Sequence, residues 1–316
     1  MAKKEQQTQE KFKTMIGGQA LIEGILMRGP EKQSIVVRSP EGLVVKTEEL
    51  HLVAKKHPIL GWPLIRGIVN FGSSMICGVK ALMYSADFFP EEEGEPSKFD
   101  QWLEKHLGSE KMEQLVMTFS LVMGLLLAVG LFVFLPTFLT GLIPGLDGNY
   151  FLRNLCEGVL KIGLLMGYMI LVSNMKDMKR VFSYHGAEHK TIRCYEAKLP
   201  LTVENVRPMT RMHPRCGTSF LLVVICISIL CGSVIRADHT LVRIGLHLLL
   251  LPVVVAISYE FNRLVGKYDN RLTRILTAPG MWMQRFTTKE PDDSMIEVAI
   301  KALEEVLPTQ EGSDEW

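Results

Sequence analysis

Gln114–Leu146 reads QLVMTFSLVMGLLLAVGLFVFLPTFLTGLIPGL, 33 consecutive residues without a charged side chain. A helix needs about 20 apolar residues to cross the hydrocarbon core of a bilayer, so this stretch predicts a membrane span. Pro136 and Pro144 predict a kink or an end in its later part. Three more apolar runs follow, Leu155–Met175, Cys216–Ile235 and Ile244–Tyr259. Glu157 and Lys161 stand at an i, i+4 spacing that lets them pair near the interface. The last run has 16 uncharged residues, which Leu241, Val242 and a snorkelling Arg243 lengthen. Runs of this length weigh against buried helices of a soluble protein. The expectation is a mainly α, polytopic membrane protein, with a bundle of about four transmembrane helices over 113–260.

Charge sets the orientation. Residues 176–215 carry nine Lys/Arg, whereas the connection between the first two runs carries Arg153 alone. An excess of Lys/Arg marks the cytoplasmic side, so both termini and the 176–215 loop are expected there. The chain has 316 residues and a net charge of +1, which argues against a nucleic-acid partner. Its six cysteines are scattered, so reduced thiols rather than a disulfide framework are expected.

Outside the bundle, residues 1–16 are polar and expected to be disordered, without the apolar core of a signal peptide. Ser34–Arg38 and Leu43–Thr47 are β-branched-rich runs separated by Ser39-Pro40-Glu41-Gly42, which predicts a β-hairpin within 17–60. Gly17–Pro30 reads on spacing alone as a packed, glycine-rich turn with a local Glu23–Arg28 ion pair. Gly61–Phe89 is apolar but broken by Arg66, Asn70 and Lys80, the pattern of an interfacial or re-entrant helix. A linker and short helix are expected over 90–112, and a basic juxtamembrane segment that meets lipid headgroups over 261–289. Residues 290–316 hold nine acids and one lysine, with Ile296, Ile300, Leu303 and Leu307 at helical spacing. That predicts a short amphipathic helix and a frayed acidic tail, a separable docking element for a protein partner.

The chemistry concentrates in His185-Gly186-Ala187-Glu188-His189 and His213-Pro214-Arg215-Cys216. On a helix, i and i+4 share a face, so His185 and His189 can offer two nitrogens to one ion. H-x-x-E-H is the inverted zinc-protease signature. Catalytic zinc sites usually take three protein ligands. His213 is the preferred third, with Cys216 and Glu260 behind it; inverted sites commonly take a downstream glutamate. Glu188 is then the candidate general base, and Arg215 and Lys190 can hold negative charge on the reacting group. Taken singly, each residue has a duller reading as a surface histidine, a buried thiol or a local ion pair.

These stretches carry a resemblance. GGQALIEGILMRGP (Gly17–Pro30), YHGAEHKTIRCYE (Tyr184–Glu196), HPRCGTSFL (His213–Leu221) and SYE (Ser258–Glu260) resemble the YqhQ-like family of bacterial membrane proteins, over about Gly17 to Leu307. The family has no known function and is expected to be a metal-dependent enzyme. The resemblance implies metal dependence and a bacterial inner membrane, but no substrate. It makes Glu23 and Arg28 candidate substrate-binding residues.

The reading is a membrane enzyme of hydrolase type, using zinc or a similar divalent metal at the cytoplasmic face. The rival is a non-enzymatic scaffold or partner-binding protein with a structural zinc site. A transporter is the weakest alternative, because the spans contain few ionisable residues and His247 is the one histidine within them.

Overall fold

A computed structural model of the chain describes residues 12–50, 57–89, 109–146, 148–237, 239–268, 270–310 and 312–315. They divide into two compact units. Most of the expected linker, and residues 1–11 of the expected disordered terminus, lie outside the described residues.

The first unit takes in residues up to Phe88, Tyr168–Val224 and the chain from Val253 onward. It contains a four-stranded antiparallel meander, β1 (Gly17–Leu21), β2 (Gly24–Arg28), β3 (Lys32–Ser39) and β4 (Gly42–Glu49). The β3–β4 hairpin is the one the turn residues predict. The β1–β2 hairpin corrects the reading of Gly17–Pro30 as a packed turn. Leu21 pairs with Gly24, so Ile22 and Glu23 form a two-residue loop in which Glu23 takes φ 49°. Glycine usually occupies such left-handed positions. Glu23 is held there by its carboxylate, which accepts from Arg180 Nη2 at 2.6 Å and Tyr184 Oη at 3.1 Å. It does not pair with Arg28, which donates to Ser74 Oγ at 2.9 Å.

Helix α1 (Ile65–Ala86) packs on β1 and β2. It is the helix expected over 61–89, and it leaves Met75 and Ile76 exposed. Two further helices belong partly or wholly to later sequence but contact the sheet here: α5 (Lys176–Glu196) and α10 (Asp293–Glu304). The segment expected as a metal-site loop is thus helical through Glu196. Asp292 caps α10, accepting from Met295 N–H at 3.0 Å. Ile296, Ala299 and Leu303 are fully buried with Ile25, Val36, Tyr184 and Ala187. The C-terminal helix is therefore part of this unit's core rather than a separable appendage. The tail folds back as well: Met15 N–H donates to the Asp314 carbonyl at 2.6 Å, and Thr14 and Ile16 are buried, so this end of the expected disordered terminus is ordered against the tail.

The second unit comprises Phe89–Gly167 and Ile225–Pro252. Here α2 (Ser109–Val129), a π-helical turn at Gly130–Phe134 and α3 (Leu135–Gly141) run without a break. Pro136 has no N–H and its ring crowds the carbonyl of the preceding turn; the widened π turn accommodates it, so the helix continues to Gly141. α4 (Tyr150–Asn174), α6 (Val203–Val206), α7 (Gly217–Gly232), α8 (Thr240–Lys267) and α9 (Arg271–Thr287) complete the α-helices among the described residues.

Among the described residues, three helices are long and apolar enough to cross a membrane: Leu115–Gly141, Tyr150–Asn174 and Thr240–Lys267. The expected span at Cys216–Ile235 is shorter than its apolar run. Its helix has 16 residues, about 24 Å at 1.5 Å per residue, against a hydrocarbon core of about 30 Å. Arg243 does not snorkel. It is fully buried, its Nε 3.2 Å from Glu157 Oε2, while Lys161 Nζ and His247 Nε2 approach Glu157 Oε1 at 3.0 and 2.9 Å.

Candidate metal centre

His185, Glu188 and His189 share one turn of α5. That turn can approach the C-terminal segment because residue 186 is glycine: a Cβ there would fall on the Lys289 carbonyl. The other wall is the chain leading into α7. Cys216 stands immediately before that helix, its carbonyl accepting from Phe220 N–H at 3.1 Å. A helix N-terminus favours a thiolate.

The ligand atoms of His185, His189 and Cys216 all lie within 4.8 Å of one another. His185 Nε2 is 3.1 Å from Cys216 Sγ. Both imidazoles are oriented from behind. His185 Nδ1 is 2.8 Å from the Thr287 carbonyl and His189 Nδ1 is 2.6 Å from the Arg211 carbonyl. A carbonyl only accepts, so each Nδ1 carries the proton and each Nε2 is left as the donor atom for a metal. Backbone carbonyls commonly fix metal-binding histidines in this way. His189 and Cys216 are buried, and His185 is half-buried.

The electrostatics suit a cation. Burial alone would push the Cys216 thiol up, but His185 and His189 outweigh it and hold the thiol well below its ordinary range. Burial would likewise lower His185, yet the facing Cys216 raises it. A thiolate is the form of cysteine that metals bind. Glu188 is buried beside this cluster. Its Oε1 accepts from Gly18 N–H at 2.9 Å, and its Oε2 has no hydrogen-bond partner. Gly18 allows that approach, since a Cβ there would stand 3.1 Å from the Glu188 carboxyl carbon. Burial is the main cause that raises the Glu188 carboxyl above the usual range, with the two histidines opposing it.

The other expected site residues have different partners. His213 is not in the converging group. Its ring centroid is 5.5 Å from that of His189, but its Nε2 is 3.5 Å from Glu196 Oε2. Arg215 is bonded to the same Glu196. The Glu260 carboxylate is taken by Arg66, at 2.7 Å from Nε, and by Leu64 N–H. Lys190 donates to the Arg207 carbonyl at 2.9 Å and pairs with Glu290.

The chain matches the family described as "Protein of unknown function (DUF1385)" over residues 62–309. The chain belongs to that family. It is 34% identical over 296 residues to "Uncharacterized protein YqhQ" of Bacillus subtilis (strain 168), covering 92% of each chain. No solved structure matches. The YqhQ-like resemblance in the sequence is thus shown, while neither description names an activity or a metal.

Three contributors had no signal that the sequence reading used. Gln284 clamps the backbone of His213, accepting from its N–H at 2.8 Å and donating to its carbonyl at 2.6 Å. Thr287 and Arg211 act through backbone carbonyls, which no side-chain pattern reports. Glu196 had a detectable signal: it ends the motif Tyr184–Glu196, and it is the acid that neutralises Arg215.

Proposed function

We propose that the chain is a membrane protein of the bacterial cytoplasmic membrane that binds a divalent metal, preferably zinc, through His185, His189 and Cys216 and performs a hydrolytic reaction. The observation that carries this reading is the convergence of those three ligand atoms within 4.8 Å, with both Nδ1 atoms committed to backbone carbonyls. The donor set fits: imidazole nitrogen and thiolate sulfur are ordinary zinc ligands, and three protein donors rather than four leave a coordination position open. When bound, the ion supplies Lewis acidity, which polarises a substrate oxygen and acidifies water.

Glu188 is the residue that moves the proton. The Gly18 N–H fixes one carboxylate oxygen and leaves the other as acceptor. Burial raises its basicity, as a general base requires. Arg215 is matched by Glu196 and therefore acts on the site by positioning the His213–Cys216 segment.

The membrane reading rests on the three long apolar helices. α7, extended by Ser233–Ile235, makes the fourth crossing. The nine Lys/Arg of 176–215 support a cytoplasmic site and cytoplasmic termini.

Metal analysis of detergent-purified protein tests the centre. About one divalent ion per chain is expected, with most of it lost in His185→Ala, His189→Ala and Cys216→Ser. Retention in the double His185/His189 variant rules the site out. Glu188→Gln separates catalysis from a structural zinc site. It should keep its metal yet fail to complement a gene deletion, since loss of a general base costs about 10²–10⁴-fold in rate. Normal complementation at native expression favours the scaffold.

A further inference from the structure

β1 is the outermost strand on one side of the sheet, and its free edge touches the metal motif through Gly18. In an antiparallel ladder, hydrogen-bonded and non-bonded pairs alternate. The Gly18 N–H donates to Glu188 Oε1 rather than to β2, so Gly18–Met27 is a non-bonded pair. Ala20–Ile25, two positions on, is another. The Gly18 carbonyl and both backbone groups of Ala20 therefore point away from β2, and among the described residues no other strand lies beside them. At either end the same edge is closed. Ile16 N–H donates to Thr14 Oγ1 at 3.1 Å, and Ile22 N–H to Ser85 Oγ at 3.3 Å. Between these points Gly18 and Gln19 are exposed. An open strand edge is a template for another backbone. A lipid or a phosphate ester has no matching row of donors and acceptors.

Gly17 lies on the same strand. Its φ is not in the left-handed region, and a Cβ on it would meet nothing within 4 Å. Neither its backbone conformation nor its neighbours call for glycine there, so its missing side chain leaves open space beside the strand.

The register selects one carbonyl of an added strand. In a bonded antiparallel pair, each residue donates its N–H and accepts with its carbonyl. A residue opposite Ala20 finds both partners. A residue opposite Gly18 finds the Gly18 carbonyl alone, because the Gly18 N–H is committed to Glu188. Its own carbonyl is left without a ladder donor. Adjacent strands stand about 4.8 Å apart, so that carbonyl lies beside the Glu188 carboxylate.

We propose that the substrate of the candidate centre is an extended polypeptide, which adds to the sheet antiparallel to β1 and presents the peptide bond opposite Gly18 for hydrolysis. The inference rests on the hydrolytic reading above and names its substrate class. The oxygen of water bonds to the carbonyl carbon as Glu188 takes the proton. The C–N bond then breaks, the proton passes to the leaving nitrogen, and a carboxylate and an amine result.

The test uses the detergent-purified full chain and a randomised decapeptide library. Wild type should cut library members, read as new termini by mass spectrometry. Immobilised Glu188→Gln should hold them uncut. Ala20→Pro removes a backbone N–H that β2 does not use, and proline is tolerated on edge strands. It should lower kcat/KM for a cleaved decapeptide about tenfold, near the worth of one backbone hydrogen bond. In the Glu188→Gln background it should weaken retention alike, with metal content unchanged. Gly17→Val, whose side chain enters the open space, should do the same without lowering the melting temperature. Unaltered cleavage in both variants overturns the proposal. A metal-loaded wild type that neither cuts nor holds the library also overturns it, and the hydrolytic reading then stands for another substrate class. Retention that Ala20→Pro abolishes, in a protein without metal or cleavage, upholds the strand pairing and sinks the hydrolytic reading.

Discussion

Gly186 shows how one missing side chain shapes the candidate site. The Lys289 carbonyl occupies the place of its absent Cβ, and Thr287, two residues earlier, supplies the carbonyl that orients His185. Gly186→Ala must push this strand of backbone away, costing about 1–3 kcal/mol and tilting the imidazole. A lower melting temperature together with reduced metal content is expected. Gly72→Ala is the control, because nothing lies within 4 Å of its Cβ position; it should be neutral or slightly stabilising. Equal behaviour of the two variants would refute the close-approach argument. His213 offers a pH signature at the same scale. Burial is the main cause that holds it at about 4, below the ordinary 6.5. Between those values the unfolded chain binds more protons, so stability falls as pH drops, by up to about 1.4 kcal/mol per unit. The melting temperature of wild type should drop from pH 7.5 to pH 5.5 by more than that of His213→Asn. An equal drop in both would show that His213 is not buried as a neutral base.

At the scale of elements, α10 departs most from the sequence expectation. An acidic, amphipathic C-terminal helix reads as a docking element when its partner surface is unknown. The surface it covers belongs to β2, β3 and α5, and Ile296, Ala299 and Leu303 are completely buried there. The backbone just before it also touches the metal motif, with Lys289 N–H donating to the Phe182 carbonyl at 2.8 Å. Truncation after Lys289 should therefore cost both folded protein and metal. Leu303→Ala should destabilise by about 2–5 kcal/mol. A truncated protein that elutes as a monodisperse species with full metal content would restore the docking reading.

For the whole molecule, the orientation proposed from charge makes a prediction independent of any activity. In a chain with its native cysteines replaced by serine, Arg236→Cys, in the exposed turn between α7 and α8, should react with an impermeant reagent added outside intact cells. Lys198→Cys should react only after permeabilisation. The opposite pattern would place the metal motif outside and end the cytoplasmic reading.

Length and periodicity are properties of the chain itself, which is why the apolar helices, the β3–β4 hairpin and the shared face of His185 and His189 were legible without coordinates. A charge-free run is apolar whatever its neighbours, and i, i+4 residues meet on any helix. The rest depended on residues far apart in sequence. Cys216 rather than His213 completes the converging trio because the chain entering α7 brings it to His185, 31 positions away. Glu260 is taken by Arg66, Glu23 by Arg180 and Arg215 by Glu196, choices among charges that composition cannot rank. Arg243 is buried because Glu157, 86 residues away, meets it. The carbonyls of Thr287 and Arg211 orient both histidines, and a backbone carbonyl is present at every residue. Only the tertiary fold, by bringing two of them to the imidazoles, makes these carbonyls part of the site.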